Sequence, residues 1–311
     1  MAIRGAPAIG VAGAFGLALT AAHSNADDRT QLVTEINSAA EFLRASRPTA
    51  VNLKWALERM LQVPVFNDNS KEELIKDLII EAGTIAEEDI ATNKRIAKIG
   101  SDLIQDDDVI IHHCNTGSLA TVEGGTALGV IREAWDQGKR IRVLVDETRP
   151  LLQGARLTAW ELEQEKIPYA IITDNAAGYF LQKNIATKVM FGADRVAANG
   201  DVVNKIGTYM LALAARESKV PVFAIFPSSS LDILSKDGDS VEIEMRNEAE
   251  VLGICVDGER ATPKEAHALN PAFDITPSHL ITAWITDTGI FHQPFNPQVF
   301  KKVGKIQGEQ P

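Results

Sequence analysis

Basic residues are in the minority in this chain of 311 residues, which carries 31 lysines and arginines, 42 acids and a formal net charge of −11. Nucleic acids and anionic membranes bind basic faces, so this balance argues against both as partners. Cysteine is scarce as well, because only Cys114 and Cys255 occur, whereas secreted proteins more often carry an even, spaced set. We therefore expect a cytoplasmic protein without a disulfide.

Long hydrophobic runs are missing beyond the opening segment, since no later run approaches the roughly 20 residues that cross a bilayer. The opening, MAIRGAPAIGVAGAFGLALTAAHS, allows two interpretations. Arg4, an apolar run and a small-residue end are typical of an export signal, but Pro7 and the glycines make a poor signal core. The alternative, which we favour, is a buried first helix of an enzyme with Arg4, Gly5 and Ala6 in its active site.

The chain up to residue 100 has helical periodicity. TQLVTEINSAAEFLRAS (30–46) spaces Leu32, Ile36 and Leu43 on one face, and RPTAVNLKWALERMLQ (47–62) has Pro48 where a first helical turn accepts it. Residues 71–100 carry more acids early and more bases late, which suits the helix dipole. The sequence therefore predicts a helical N-terminal region over residues 1–100.

From residue 101 onward, short apolar runs alternate with helical stretches. The runs are DVIIHHC, IRVLVDE, YAIITD, KVMFGAD and VPVFAIF. Alternation of this kind predicts a Rossmann-like, doubly wound α/β domain over residues 101–311, with a mostly parallel sheet covered on both faces. No G-x-G-x-x-G follows the first strand, so a dinucleotide cofactor is not predicted.

Ligands of such sheets bind at the carboxyl ends of the strands, and four predicted strands end in polar or reactive groups. These groups include Cys114, Asp146, Asp174 and Asp194. Their common position predicts a single site at this edge of the sheet.

Cys114 has several possible roles. If its strand continues, it shares a face with His112 while His113 points the other way, which disfavours a His-His-x-Cys metal site. The turn after it leads to a predicted helix whose N-terminus suits a phosphate and lowers a thiol pKa. A core cysteine at the end of a strand is the other interpretation.

Asp194 follows Gly192 and Ala193, a tight setting in which desolvation is expected to raise a carboxyl pKa toward general acid–base work. The alternative is an ion pair with Arg195. Asn204 and Lys205 are predicted to open a helix whose end holds an anion, although Lys205 also fits a plain surface position.

Further polar groups lie between strand and helix. Arg149, Gln153 and Arg156 suit phosphate or carboxylate contacts, as do Arg44 and Arg47 ahead of a helix start. Asp146 and Glu147 are interpreted either as metal ligands without a third partner or as partners of neighbouring arginines. Together these groups predict acid–base chemistry on a small phosphorylated metabolite.

Six motifs, in order, resemble the methylthioribose-1-phosphate isomerases. They are RGAPAIGVA, SRPTAVNL, HCNTGSLAT, DETRPLLQGARLTAWEL, GADRVAANGDVVNKIGTY and NPAFDITP. The resemblance implies an aldose–ketose isomerase of methionine salvage that converts 5-methylthioribose 1-phosphate to 5-methylthioribulose 1-phosphate. It also implies a homodimer that needs no metal or nucleotide cofactor.

Carried over by position, the resemblance makes Cys114 and Asp194 the catalytic pair. It assigns substrate contacts to the following residues: Arg4, Gly5, Ala6, Arg47, Gln153, Asn204 and Lys205.

Two related activities remain as alternatives. A ribose-1,5-bisphosphate isomerase would need a second phosphate site, and a regulatory subunit of the translation-initiation exchange factor is implied to lack the catalytic pair. In the family RGAPAIG is preceded by several tens of residues, so we expect that most of the usual N-terminal segment is missing.

Overall fold

The computed structural model describes residues 3–46, 51–66 and 70–297. Its first helices are α1 (Ala6–Ala22), α2 (Arg29–Ser46), α3 (Val51–Phe66) and α4 (Lys71–Ser101). These bounds confirm the helices predicted from periodicity, while Pro48 lies outside the described residues.

Helix α1 is a core helix. It packs against α2, α3 and α4, and its buried side chains include Leu17 and Ala14. A Cβ on Gly10 would lie 2.8 Å from the backbone oxygen of Asn52, so only glycine allows α1 and α3 to approach this closely. The small residues that made the opening resemble an export signal are therefore used here for close helix packing.

Helix α4 joins the helical part to the sheet. Ser70 and Glu73 form a capping box at its N-terminus, and Lys98 lies in its last turn, as the helix dipole favours. The helix packs against α1 at one side and against α5 (Ala127–Asp136) and the sheet at the other. A domain boundary at residue 100 stays a prediction.

The strands and the later helices follow from residue 109. In chain order the strands are β1 (Val109–His112), β2 (Arg142–Asp146), β3 (Tyr169–Ile172), β4 (Lys188–Phe191), β5 (Arg195–Ala197), β6 (Val202–Lys205), β7 (Val222–Ile225), β8 (Leu231–Asp232), β9 (Cys255–Val256), β10 (Glu259–Arg260), β11 (Phe273–Thr276), β12 (Ala283–Thr286) and β13 (Gly289–His292). The remaining helices are α6 (Ala159–Gln164), α7 (Ala177–Gln182), α8 (Thr208–Glu217) and α9 (Ala249–Leu252).

The main sheet has seven strands in the order β13-β12-β7-β4-β1-β2-β3. All neighbours are parallel except β12 and β13, which are antiparallel. Apolar residues of α4, α5 and α6 cover one face, and those of α7 and α8 cover the other. The predicted doubly wound, Rossmann-like fold is confirmed.

A second, separate sheet has the order β11-β6-β5-β8, and its strand β5 follows β4 in the chain after three residues. Strands β6 and β11 are antiparallel, so that Asn204 faces Asp274 and Lys205 faces Phe273. This small sheet therefore brings residues from β6 and β11 toward the carboxyl edge of the main sheet.

Both cysteines are free, with Cys114 buried at the end of β1 and Cys255 exposed in β9. They do not form a disulfide with each other in this structure. Across the described ranges, no helix combines the length and the apolar character that crossing a membrane requires.

Candidate active site

The site lies between β1 and β4, where the order in which successive strands are added to the main sheet reverses. Strands β2 and β3 extend from β1 toward one side, whereas β7 and β12 extend from β4 toward the other. A crevice forms at such a switch point, outside the carboxyl ends of the two central strands. Cys114 follows β1 and Asp194 follows β4, so the neighbouring strands deliver both residues to this crevice.

A cavity of about 690 Å³ occupies the crevice. It is lined by every predicted site residue that the structure describes, namely Arg4, Gly5, Ala6, Cys114, Gln153, Asp194, Asn204 and Lys205. Arg47 lies outside the described residues.

The charge of this cavity is opposite to that of the chain. Four cationic side chains line it and Asp194 is the acidic one, whereas the whole chain has a net charge of −11. The cations are Arg4, Arg156, Lys205 and Arg246. A cavity with this excess attracts an anionic ligand.

Cys114 is held by its backbone. Its amide donates to Thr148 Oγ1 at 2.9 Å, and its carbonyl accepts from Thr158 Oγ1 at 2.7 Å. The strand ends at His112 and Cys114 has a φ of 66°, so the strand alternation expected to continue to Cys114 does not extend that far. A non-glycine residue rarely adopts this conformation, and the two threonine hydroxyls hold it in place.

Arg4 reaches the site from the start of the chain. Its Nη1 donates to the carbonyl of Asn115 at 3.1 Å and also to Asn115 Oδ1, while its Nη2 lies 3.9 Å from Cys114 Sγ. Asn115 Nδ2 in turn donates to Glu161 Oε1 at 2.8 Å. Burial raises the pKa of Glu161, although its hydrogen bonds from Asn115 and Ser118 oppose the shift. Glu161 is a supporting residue that sequence reasoning missed.

Two of the amides expected to hold a phosphate after Cys114 already have partners in the chain. A short 3₁₀ turn over Ser118–Ala120 follows the cysteine, and Ser118 N donates to Glu161 Oε2 at 2.6 Å. Helix α5 begins later, at Ala127, and Leu128 N donates to Thr116 Oγ1 at 2.9 Å. The helix predicted after this turn therefore begins later than expected, because nine residues of irregular chain and a 3₁₀ turn separate Cys114 from α5.

Asn204 and Lys205 end strand β6 instead of opening a helix, so that prediction is also wrong. Helix α8 begins at Thr208, and the Asp274 carboxylate accepts from Gly207 N at its N-terminus at 2.7 Å. Lys205 is buried rather than at the surface, and its Nζ donates to the carbonyl of Ala272 at 2.8 Å.

Asp194 is half-buried, and its amide donates to the carbonyl of Val203 at 3.0 Å. Arg195, which was considered as its ion-pair partner, has Nη1 2.9 Å from Asp232 Oδ2.

Gln153 is 9% exposed, and its buried Oε1 has no hydrogen-bond partner in the described chain. Because unpartnered buried acceptors are costly, this oxygen is available to a ligand hydroxyl.

A charged network lies behind Cys114. His113 Nδ1 is 2.8 Å from Asp146 Oδ2 and His113 Nε2 is 3.0 Å from the carbonyl of Ile206, so both ring nitrogens donate. Burial lowers the pKa of His113, but the hydrogen bond and charge of Asp146 outweigh it and raise the pKa to about 9. Asp146 therefore pairs with an imidazolium, and the interpretation that it pairs with neighbouring arginines is wrong.

This network accounts for a cluster that has the composition of a metal site. The ligand atoms of His113, Asp146 and Asp174 lie within 4.8 Å of one another. However, His113 uses both nitrogens, and the Asp174 oxygens accept from Thr148 N and Arg149 N, each at 2.7 Å. The hydrogen bonds fit a positioning network better than a set of metal ligands.

Comparison with known proteins assigns the fold and site to a family. The model of the initiation factor 2 subunit family matches residues 2–293. A methylthioribose-1-phosphate isomerase of Pelotomaculum thermopropionicum is 49% identical over 304 residues, which cover 97% of this chain and 83% of that protein. Another, from Acetivibrio thermocellus, is 45% identical over 97% of this chain and 88% of that protein.

Solved structures agree with these matches. The 5-methylthioribose 1-phosphate isomerase of Pyrococcus horikoshii superposes with a TM-score of 0.85 and 42% identity, covering 99% of this chain and 85% of that one. A structure described as translation initiation factor eIF-2B, subunit delta, from A. fulgidus has a TM-score of 0.82 and 41% identity, covering 97% of this chain and 88% of that one. The chain therefore belongs to the initiation factor 2 subunit family. Within it, the resemblance to the methylthioribose-1-phosphate isomerases that the motifs indicated is confirmed.

Proposed function

We propose that the chain is an aldose–ketose isomerase that converts 5-methylthioribose 1-phosphate to 5-methylthioribulose 1-phosphate. The observation that carries the proposal is the position of Cys114 and Asp194, which follow neighbouring parallel strands and line one cationic cavity. The printed names of relatives at 45–49% identity support the same substrate and reaction.

The substrate requires two chemical steps. Its phosphate is on the anomeric oxygen, so the aldehyde is masked and the ring must open before the hydrogen on C2 can move to C1. Asp194 transfers the proton that opens the ring. The cations of the cavity hold the phosphate and thereby fix C1 and C2 relative to the catalytic pair.

Two routes move the hydrogen after ring opening. In the proton route, Cys114 removes the C2 proton, an enol forms between C1 and C2, and a proton then adds to C1. In the hydride route, the C2 hydrogen passes to C1 with its electron pair. In both routes the C2 hydroxyl loses its proton as the ketone forms, and the phosphate stays on its oxygen.

Neighbouring groups support either route. Cys114 is 5% exposed, so the reacting carbon beside it is screened from water. The guanidinium of Arg4, with Nη2 3.9 Å from Cys114 Sγ, stabilises negative charge that develops nearby. We assign substrate contacts to Gly5, Ala6, Gln153, Asn204 and Lys205 as lining groups, and Arg47 keeps its predicted contact.

The test is to follow ketose formation by NMR with methylthioribose 1-phosphate and, separately, ribose 1,5-bisphosphate. We expect turnover of the first sugar only. Cys114→Ser and Asp194→Asn should each lower kcat by about 10²–10⁴-fold. Cys255→Ser is the matched control, because that thiol is exposed in β9 and should leave the rate unchanged. Turnover of the bisphosphate alone would contradict the proposal.

Deuterium at C2 distinguishes the routes. Loss of the label to water during turnover supports the proton route, whereas its full transfer to C1 supports the hydride route.

A non-catalytic regulatory subunit is the second candidate, because one solved structure at 41% identity is described as a translation initiation factor subunit. Absence of turnover of both sugars, with Cys114→Ser indistinguishable from the parent in all assays, would favour it.

We also propose a homodimer in the cytoplasm. Strand β3 is an edge strand of the main sheet, and exposed apolar side chains at β3 and α7 include Ile171 and Tyr179. An apolar surface beside a free sheet edge suits a second copy of the chain. Light scattering after gel filtration measures the mass, and a monomer at micromolar concentration would contradict the dimer.

A further inference from the structure

Two cationic side chains of the cavity share one aromatic ring. Lys205 Nζ lies 4.4 Å from the centroid of the Phe273 ring, and Arg246 Cζ lies 5.7 Å from it. All three residues line the cavity. Lys205 and Phe273 face each other across β6 and β11, and Arg246 comes from the segment that precedes α9.

The segment that carries Arg246 is fixed to the chain beside β11. Arg246 N donates to the carbonyl of Asn270 at 2.8 Å, and Ala272 N donates to the carbonyl of Glu244 at 2.9 Å. Met245 and Pro271 form a β-bridge between these hydrogen bonds. The position of the Arg246 side chain is therefore set by backbone pairing.

The guanidinium is buried but only partly engaged. Its side chain is 9% exposed, and its Nε donates to Glu244 Oε1 at 3.0 Å. Within the described chain, the side-chain hydrogen bonds of Arg246 use Nε alone. The two Nη groups, whose planar fork matches a phosphate, are left for a ligand.

The donors near the ring favour the same ligand. Glu244 binds Nε of Arg246, and the planar fork of the two Nη groups is the part of the guanidinium that matches a phosphate. The cavity lining as a whole has four cations and one acid, so it favours an anion. Phosphate presents three oxygens to such N–H donors.

We propose that Arg246, Phe273 and Lys205 form a phosphate subsite in which Arg246 binds the phosphate of the substrate directly. The assignment rests on the proposed function only for the identity of the sugar, because the subsite itself recognises the anion. Arg246 is thus a binding residue in addition to those that the motifs predict.

The test uses inorganic phosphate as the probe and does not depend on turnover. Calorimetry should show that Arg246→Gln weakens phosphate binding by at least tenfold. Arg246→Lys, which keeps the charge without the fork, should be affected less. Arg142→Gln is the matched control, because it removes the same charge from an exposed residue at the opposite end of β2.

Kinetics and a neutral ligand complete the design. For methylthioribose 1-phosphate, Arg246→Gln should raise KM by about 10–100-fold with little change in kcat, as expected for loss of a charge-assisted contact. Binding of methylthioribose, which lacks the phosphate, should be unchanged, whereas a purely structural role would weaken both ligands.

Equal phosphate affinity in the parent and Arg246→Gln would overturn the subsite. If phosphate binding depends on Arg246 but neither sugar is turned over, the subsite stands and the proposed isomerase function fails. If the isomerase is active and Arg246→Gln leaves KM and phosphate affinity unchanged, the proposed function stands and the subsite fails.

Discussion

The helical part of the chain and the sheet part bury different kinds of side chain. In the described helices α1–α4, the core consists of residues such as Leu17, Leu57 and Leu78, and the buried polar side chains are Asn52, Asn93 and Ser101. The sheet part buries ionisable groups at its carboxyl edge, including His113, Asp146, Glu161 and Lys205.

This difference indicates that the residues that stabilise the fold and the residues that perform the chemistry lie in different parts of the chain. Burying a charged group costs free energy unless a partner offsets it, so such groups are expected where they perform a function. The helical part gains its stability from apolar packing and contributes Arg4, Gly5 and Ala6 to the cavity through the start of α1. We expect substitutions in the helical core to change folding, and substitutions at the sheet edge to change chemistry or pH dependence.

The largest expected effect on stability is that of Leu57→Ala. Leu57 is fully buried in α3 and belongs to the core that α1 shares, so its truncation leaves a cavity. We expect the free energy of unfolding, measured with urea, to fall by about 2–5 kcal/mol. The kcat per folded molecule should not change.

Leu19→Ala is the control, because Leu19 is 57% exposed on α1. It should change stability by less than about 0.5 kcal/mol. A lower kcat in fully folded Leu57→Ala would show that the helical core also shapes the chemistry, which contradicts the separation.

The next largest expected effect is the pH dependence of the free energy of unfolding, which His113 at the sheet edge should produce. The folded pKa of His113, about 9, lies above its ordinary value of 6.5, so the folded state holds an extra proton between these values. The stability that this imidazolium contributes is therefore complete below about pH 6.5 and is lost as pH rises toward 9. The slope is at most about 1.4 kcal/mol per pH unit.

The measurement is the free energy of unfolding between pH 6.5 and 9, compared with His113→Gln/Asp146→Asn. That pair removes both charges together and avoids an unpaired buried carboxylate. Burial raises the pKa of Asp146 to about 6, although His113 opposes the shift, so Asp146 titrates below this window. Equal slopes in the two proteins would show that His113 does not carry the extra proton.

The sequence predicts the fold well because its signals are local. The spacing of Leu32, Ile36 and Leu43 is enough to identify a helix, and short apolar runs identify strands β1, β2, β3, β4 and β7. Cys114 and Asp194 could be selected because each follows such a run, and parallel strands bring their carboxyl ends together.

The errors arise where pairing is non-local. Strand β6 is short and pairs with β11, whose residues are about seventy positions later, so Asn204 and Lys205 resembled a helix start, although α8 begins only at Thr208. Arg246 reaches the cavity through the bridge between Met245 and Pro271, and none of the six motifs contains it. Phe273 lies in the motif NPAFDITP, but its place in the cavity depends on the pairing of β11 with β6. His113 was assigned by strand alternation, which fails because β1 ends at His112.

The smallest expected effect on stability is in the helical part, at the capping box at the N-terminus of α4. Ser70 Oγ accepts from Glu73 N at 3.3 Å, and Glu73 Oε2 accepts from Ser70 N at 3.0 Å. Ser70→Ala leaves the Glu73 amide to water and should lower the free energy of unfolding by about 1 kcal/mol, whereas Ser70→Gly should cost only a few tenths. Since α4 packs against α5, β12 and β13 and contributes no residue to the lining of the cavity, KM and kcat should stay unchanged in both variants. A kinetic change without a stability change would mean that α4 transmits its position to the site, and the two parts of the chain would then be coupled rather than separate.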